Sequence, residues 1–144
     1  MASVQKSALV PFSPAQMYDL VNDVEAYPKF VPWCSNAKLL SHTGDELCGR
    51  IEFKRAGLHH SFATCNRLEE NRRIDIRLEE GPFKHLEGVW VFTPLGADGC
   101  KVELTMEFEF AGRLISAAFG PVFNQVATSL VGAFVKRAHE VYGA

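Results

Sequence analysis

The histidines and cysteines have the most chemistry to offer in this chain, and their spacing withholds most of it. His59 and His60 are adjacent on an extended run, so their rings point to opposite faces and cannot chelate one metal together. His42, His85 and His139 fall in different elements, and no H-E-x-x-H, phosphate loop, nucleophile elbow or dinucleotide fingerprint occurs. Cys34, Cys48, Cys65 and Cys100 are scattered, with no C-x-x-C pair. Cys34 lies beside Trp33 without a neighbouring base and reads as a small buried residue rather than a nucleophile. No catalytic residue, metal ligand or cofactor is assigned on these grounds. What remains is binding chemistry. Leu58, His60, Phe62, Thr64, Asn66 and Leu68 share one face of a strand. With Phe62 inward, His60, Thr64 and Asn66 are inward too and could hydrogen-bond the head of an otherwise apolar ligand; a bulge or an edge position would instead give them to solvent.

The elements around that strand follow from periodicity. Lys101 to Phe110 alternates without a fault, with Val102, Leu104, Met106, Phe108 and Phe110 on one face and charges or Thr105 on the other. From Leu114 the spacing turns helical, through Ile115, Phe119, Val122, Val126, Leu130, Phe134 and Val141, with Phe123 and several alanines widening the stripe. A broad apolar helix after a one-sided sheet predicts a lid across a concave sheet, over a space filled by side chains or by a ligand. Leu86, Gly88, Trp90 and Phe92 share a further strand face. Trp90 is core or cavity wall there, and Gly88 admits a close approach by a ligand or another backbone, or accommodates the indole or a bulge. The expected wall residues are Trp90, Leu104, Met106, Phe108, Val126 and Leu130.

Two segments read as possible gates. Tyr27-Pro-Lys-Phe-Val-Pro-Trp-Cys34 packs three aromatics and two prolines into a short loop, suited to a pocket mouth that includes Trp33 or to a loop folded into the domain. Gly112 to Phe123 places Phe119 between two glycines and sets Pro121 inside the helical pattern, where the helix should kink or begin anew.

The remaining pattern is a strand over Val4–Val10 and a helix capped at Ser13, with Pro14 at its first position and Gln16 closing a capping box. A short second helix near Lys29 and Phe30 follows. Strands then run over Ala37–Ser41, Leu47–Arg55, Leu58–Leu68, Ile74–Glu79 and His85–Thr93, with turns at Thr43-Gly44-Asp45, Ala56-Gly57, Glu70-Asn71, Gly81-Pro82 and Gly96-Ala97-Asp98-Gly99. Such short turns imply antiparallel neighbours. The class is α+β.

At 144 residues, 47% hydrophobic and 22% charged, the chain fits one globular domain over residues 1–144. A net charge of −2 gives no general attraction to phosphate backbones or anionic lipid, and DNA is not an expected partner. The small basic pairs Arg72-Arg73 and Lys136-Arg137 are weak pointers to ribosomal RNA. No signal peptide and no uninterrupted membrane-spanning segment are read, so a cytoplasmic location with reduced thiols is expected.

This order of elements resembles the helix-grip fold of START-type (Bet v 1-like) domains, a curved antiparallel sheet around a long carboxy-terminal helix that encloses a hydrophobic tunnel. Ala8 to Phe30, Gly81 to Leu95, Phe108-Glu-Phe110, Ala133-Phe134 and Arg137-Ala138 resemble the ribosome association toxin (RatA) group of that family. Val31-Pro-Trp-Cys34 resembles its coenzyme Q-binding group, whose members once carried the label oligoketide cyclase. Pro121 departs from the toxin-group pattern. The resemblance implies non-catalytic binding of a hydrophobic ligand, ubiquinone or a related polyprenyl lipid, in support of respiration, with transient contact at the inner membrane. The expected ligand-binding set is Trp33, His60, Phe62, Thr64, Trp90, Leu104, Met106, Phe108, Phe119, Phe123, Val126 and Leu130. The alternative implied is a regulator that binds a ribosomal subunit and blocks subunit association. A polyketide cyclase or aromatase is a third reading, opposed by the missing acid/base array.

Overall fold

Seven strands form one antiparallel sheet in the computed structural model, which describes residues 2–55 and 57–143. Ala56 of the expected Ala56-Gly57 turn lies outside the described residues. The strands are β1 (Ala2–Val10), β2 (Cys34–Thr43), β3 (Glu46–Arg55), β4 (Leu58–Glu69), β5 (Arg73–Glu80), β6 (Phe83–Leu95) and β7 (Gly99–Phe110). Their spatial order is β1-β7-β6-β5-β4-β3-β2. From β2 to β7 the chain is a meander of tight turns. β1 alone makes a long jump, and helix α1 (Pro14–Asn22) with a 3₁₀ segment (Val24–Lys29) carries the chain from one sheet edge to the other. The last helix, α2 (Arg113–Tyr142), lies along the face lined by Leu104, Met106 and Phe108. This is the α+β helix-grip architecture.

Local chemistry explains the boundaries. At α1 the Ser13 side chain accepts from the Gln16 N–H at 3.1 Å, and the Gln16 side chain accepts from the Ser13 N–H at 2.9 Å. Pro14 opens the helix at a position that needs no N–H donor. The prolines confine the expected second helix to a single 3₁₀ stretch ending at Lys29. β2 begins at Cys34, three residues before the expected Ala37. Trp33, in the left-handed region at φ 58°, aims its carbonyl at the Lys54 N–H (3.0 Å) and so starts the pairing early.

Two expectations about α2 need correction. It does not begin anew at Pro121; one helix runs through from Arg113 to Tyr142 with Pro121 exposed. Proline forfeits one backbone hydrogen bond there, and the packing of Phe119, Val122 and Phe123 on the sheet holds the helix together. By length and composition, moreover, α2 would suffice to cross a bilayer, since its most apolar 18 residues average 1.4 in hydropathy. In this fold its apolar stripe faces the sheet instead, from Phe119 through Phe134 to Ala138.

Aromatic rings set how α2 sits. Toward its start, Phe119 and Phe123 pack with Phe62, Phe83, Phe108 and Phe110, several edge-to-face at 4.9–5.9 Å. Toward its end, Phe134 meets Tyr27, Phe30 and Trp90 edge-on at 5.0–5.4 Å.

Gly81 lets the first cluster close. Its φ of 156° and the proximity of Phe62 leave no room for a side chain, because an added Cβ would collide with the Phe62 Cβ. Gly81→Ala should destabilise the fold by about 1–3 kcal/mol, seen as a lower urea midpoint at an unchanged slope. An unchanged midpoint would mean that the β5–β6 turn yields freely.

A candidate ligand cavity beneath the last helix

Between the two aromatic clusters the helix offers smaller side chains, and a cavity of about 80 Å³ remains there. Phe123, Val126, Ala127, Leu130 and Phe134 of α2 form its roof. Their spacing of three or four residues puts them on one helix face. Ile51, Phe53, Phe62, Ile76, Trp90 and Met106 are among the sheet residues of its floor, and Val21, Tyr27 and Val31 close one side. The volume is well below the roughly 300–1,000 Å³ of drug-sized ligand sites. Gly88 sits just beside it. The close approach foreseen for that glycine is made by β7, since an added Cβ would stand 3.0 Å from the Thr105 carbonyl and 3.5 Å from Ile76 Cδ1.

Of the residues singled out from the sequence, the structure gathers Phe62, Thr64, Trp90, Met106, Phe123, Val126 and Leu130 around the cavity. Five others lie away from its lining. Leu104 is fully buried between Lys6 of β1 and Trp90 of β6 in the ladder. Phe108 and Phe119 belong to the first aromatic cluster, and His60 packs at a tilt against Phe119 with centroids 4.6 Å apart. Trp33 is half-buried outside it under the Arg55 guanidinium, whose carbon is 4.2 Å from the ring centroid. Tyr27 and Val31 are the members of the aromatic loop that reach the cavity. Ala127 and Phe134 were missing from the expected site although both lie on the helical stripe. Ile51, Phe53 and Ile76 carry the strand alternation that could have placed them there.

The cavity is almost wholly apolar. Three lining residues are polar: Tyr27, Thr64 and Asn66. Tyr27 spends its hydroxyl on the Val21 carbonyl, and burial raises its pKa, so it stays a neutral phenol. Thr64 is only 8% exposed. Asn66 Oδ1 is buried with no hydrogen-bond partner among the described residues. Among the described residues, no charged one lines the cavity.

The cysteines differ from expectation. Cys48 and Cys65 face each other across the β3–β4 ladder and are joined by a disulfide, rather than remaining reduced. Strand register brings together residues 17 apart in sequence, which spacing alone does not reveal. Cys34 and Cys100 are free and buried, and burial pushes the Cys34 thiol up to about 11. Cys34 is therefore held as the neutral thiol at neutral pH.

Comparison with known proteins agrees with the fold. Residues 10–135 match the profile of the family described as polyketide cyclase / dehydrase and lipid transport. The ribosome association toxin RatA of Escherichia coli K12 is 44% identical over 144 residues, covering 100% of this chain and 91% of that protein. The mitochondrial coenzyme Q-binding protein COQ10 homolog B of Xenopus laevis is 32% identical over 143 residues, covering 96% of this chain and 58% of that protein. Among solved structures, the protein CC1736 of Caulobacter crescentus superposes with a TM-score of 0.74 at 33% identity, covering 100% of each chain.

Thiol chemistry tests the cysteine assignment. Unfolded without reductant, the protein should expose two titratable thiols; folded at pH 8, both should react slowly. Because Cys34 titrates higher folded than unfolded, its share of stability is complete below about pH 8.5 and is lost as pH rises toward 11. Four thiols in the unfolded, unreduced protein would remove the disulfide.

Proposed function

The chain belongs to the polyketide cyclase/dehydrase and lipid transport family, and within it we propose that this protein binds a polyprenyl quinone such as ubiquinone without turning it over. The observation that carries this reading is the apolar cavity between sheet and α2. Burial of an isoprenoid chain stabilises the complex by about 25 cal/mol per Å² of apolar area, before the cost of ordering ligand and roof. The likeness to a coenzyme Q-binding protein supports the ligand class. A carrier role fits the chemistry of the walls, which offer no nucleophile with an adjacent base and no acid/base pair. Loading and release at the inner membrane would follow from opening the α2 roof or the Tyr27–Trp33 loop.

Trp90 supplies the readout. A quinone in the cavity lies against its indole and should quench its fluorescence. In a Trp33→Phe background, titration with a short-chain ubiquinone should quench saturably. Ala127→Leu fills the roof and should weaken binding at least tenfold while the fold persists. Full-affinity binding to Ala127→Leu, or no quenching at all, would overturn the cavity as the site.

A second reading is ribosome association, favoured by the full-length likeness to the ribosome association toxins. The charge pattern limits it. Arg73 donates to Asp75 Oδ1 from Nη2 at 2.8 Å and from Nε at 3.0 Å; Arg50 pairs with Glu80 at 2.9 Å, and Arg77 approaches Glu46 at 3.8 Å. Arg137 is half-buried, with its guanidinium carbon 5.5 Å from the Phe30 ring centroid. Arg72 and Lys136 are exposed. A complex resting on two such cations should lose about tenfold in affinity between about 50 and 200 mM salt. Co-sedimentation with separated ribosomal subunits reads this, and Arg72→Glu with Lys136→Glu should abolish it. No co-sedimentation at low salt would leave lipid binding alone.

A further inference from the structure

Resting on the cavity reading above, we propose that Thr64 and Asn66 form the recognition point for the ligand's head, and that this head is uncharged and carries a hydroxyl group, as in a phenol or the reduced, quinol form of a prenylated ring. Both residues project from the inner face of β4, two apart, into a space otherwise walled by hydrocarbon and by a tyrosine whose hydroxyl is already engaged. Thr64 is buried against this space, and Asn66 holds a buried acceptor with no partner. An unpaired buried polar group costs stability, so a ligand that pairs it gains what the empty protein lacks.

The arrangement discriminates on two grounds. Charge is the first. With no cationic side chain in the lining, a carboxylate or phosphate head would be buried without a counter-charge, which the cavity cannot compensate. Hydrogen-bond direction is the second. A hydroxyl both donates and accepts, so it can accept from the Thr64 hydroxyl and donate to Asn66 Oδ1. If the amide is turned over, the same hydroxyl accepts from Asn66 Nδ2. A quinone carbonyl only accepts and can satisfy Asn66 in one amide orientation alone. The hydroxyl-bearing form therefore pairs Asn66 with the amide in either orientation, whereas the carbonyl pairs it in only one.

The test compares a short-chain ubiquinone with the same compound chemically reduced beforehand, each titrated anaerobically into the intact protein by calorimetry. The reduced form should bind about tenfold more tightly. Palmitate, ionised at neutral pH, should not compete. Asn66→Leu and Thr64→Val, which replace polar groups by apolar ones of similar size, should erase the preference between the two forms. Equal binding of both forms by the parent protein, or palmitate competing as well as the quinol, would overturn the proposal while the cavity reading stands. Binding of neither form would remove both.

Discussion

One helix has to cover a sheet wider than itself. Seven strands at about 4.8 Å spacing make a surface roughly 30 Å across, whereas a helix with its side chains is about 10 Å thick. The sheet must curl, and the space inside the curl has to be filled along the whole of α2. Phenylalanine does most of this. Phe119 and Phe123 prop one part of the helix on Phe83, Phe108 and Phe110, and Phe134 props another on Trp90 and Tyr27. Between these supports, Val126 and Ala127 are too short to reach the floor. The cavity is what two large-residue contacts leave between them.

Such a gap is a weak point in an otherwise close-packed interior. Empty space forfeits dispersion contacts, and a ligand that fills it restores them, so occupancy and stability are linked. The half-buried Leu130 and the exposed first turns of α2 around Leu114 are where the covering is thinnest. By contrast, on the outer face of the sheet Arg50, Arg73, Arg77 and Lys84 each lie near a carboxylate. Surface pairs of this kind add little stability, but they spend the positive charge that a phosphate backbone would otherwise meet.

Much of this was legible from periodicity. Strand alternation through Val102 to Phe108 and helical spacing through Phe119 to Phe134 identified the two surfaces that face each other, and Ser13 with Gln16 marked the start of α1. The parity of β4 placed Phe62, Thr64 and Asn66 on one face, as the cavity requires. What periodicity could not do was choose among inward residues. Leu104, Phe108 and Phe119 point inward as surely as Met106 and Phe123, yet they pack against neighbours away from the gap. That outcome depends on side-chain volume at several elements at once. Register had the same effect on Cys48 and Cys65, which meet only because β3 and β4 pair as they do.

The jump from β1 to β2 has a consequence for how the chain is made. β1 pairs only with β7, in a register that joins Val10 to Cys100 and Ala2 to Phe108. β1 is therefore synthesised roughly a hundred residues ahead of its partner, a delay of about 5–20 s at ordinary translation rates. During that time the meander from β2 to β6 can zip hairpin by hairpin, while β1 remains an unpaired strand with open backbone groups. Its alternation of Val4, Ala8 and Val10 with Ser3, Gln5, Ser7 and Leu9 leaves only one sparse apolar face, and Lys6 interrupts even that. A charge on that face disfavours pairing between two copies of the strand while β1 stays single.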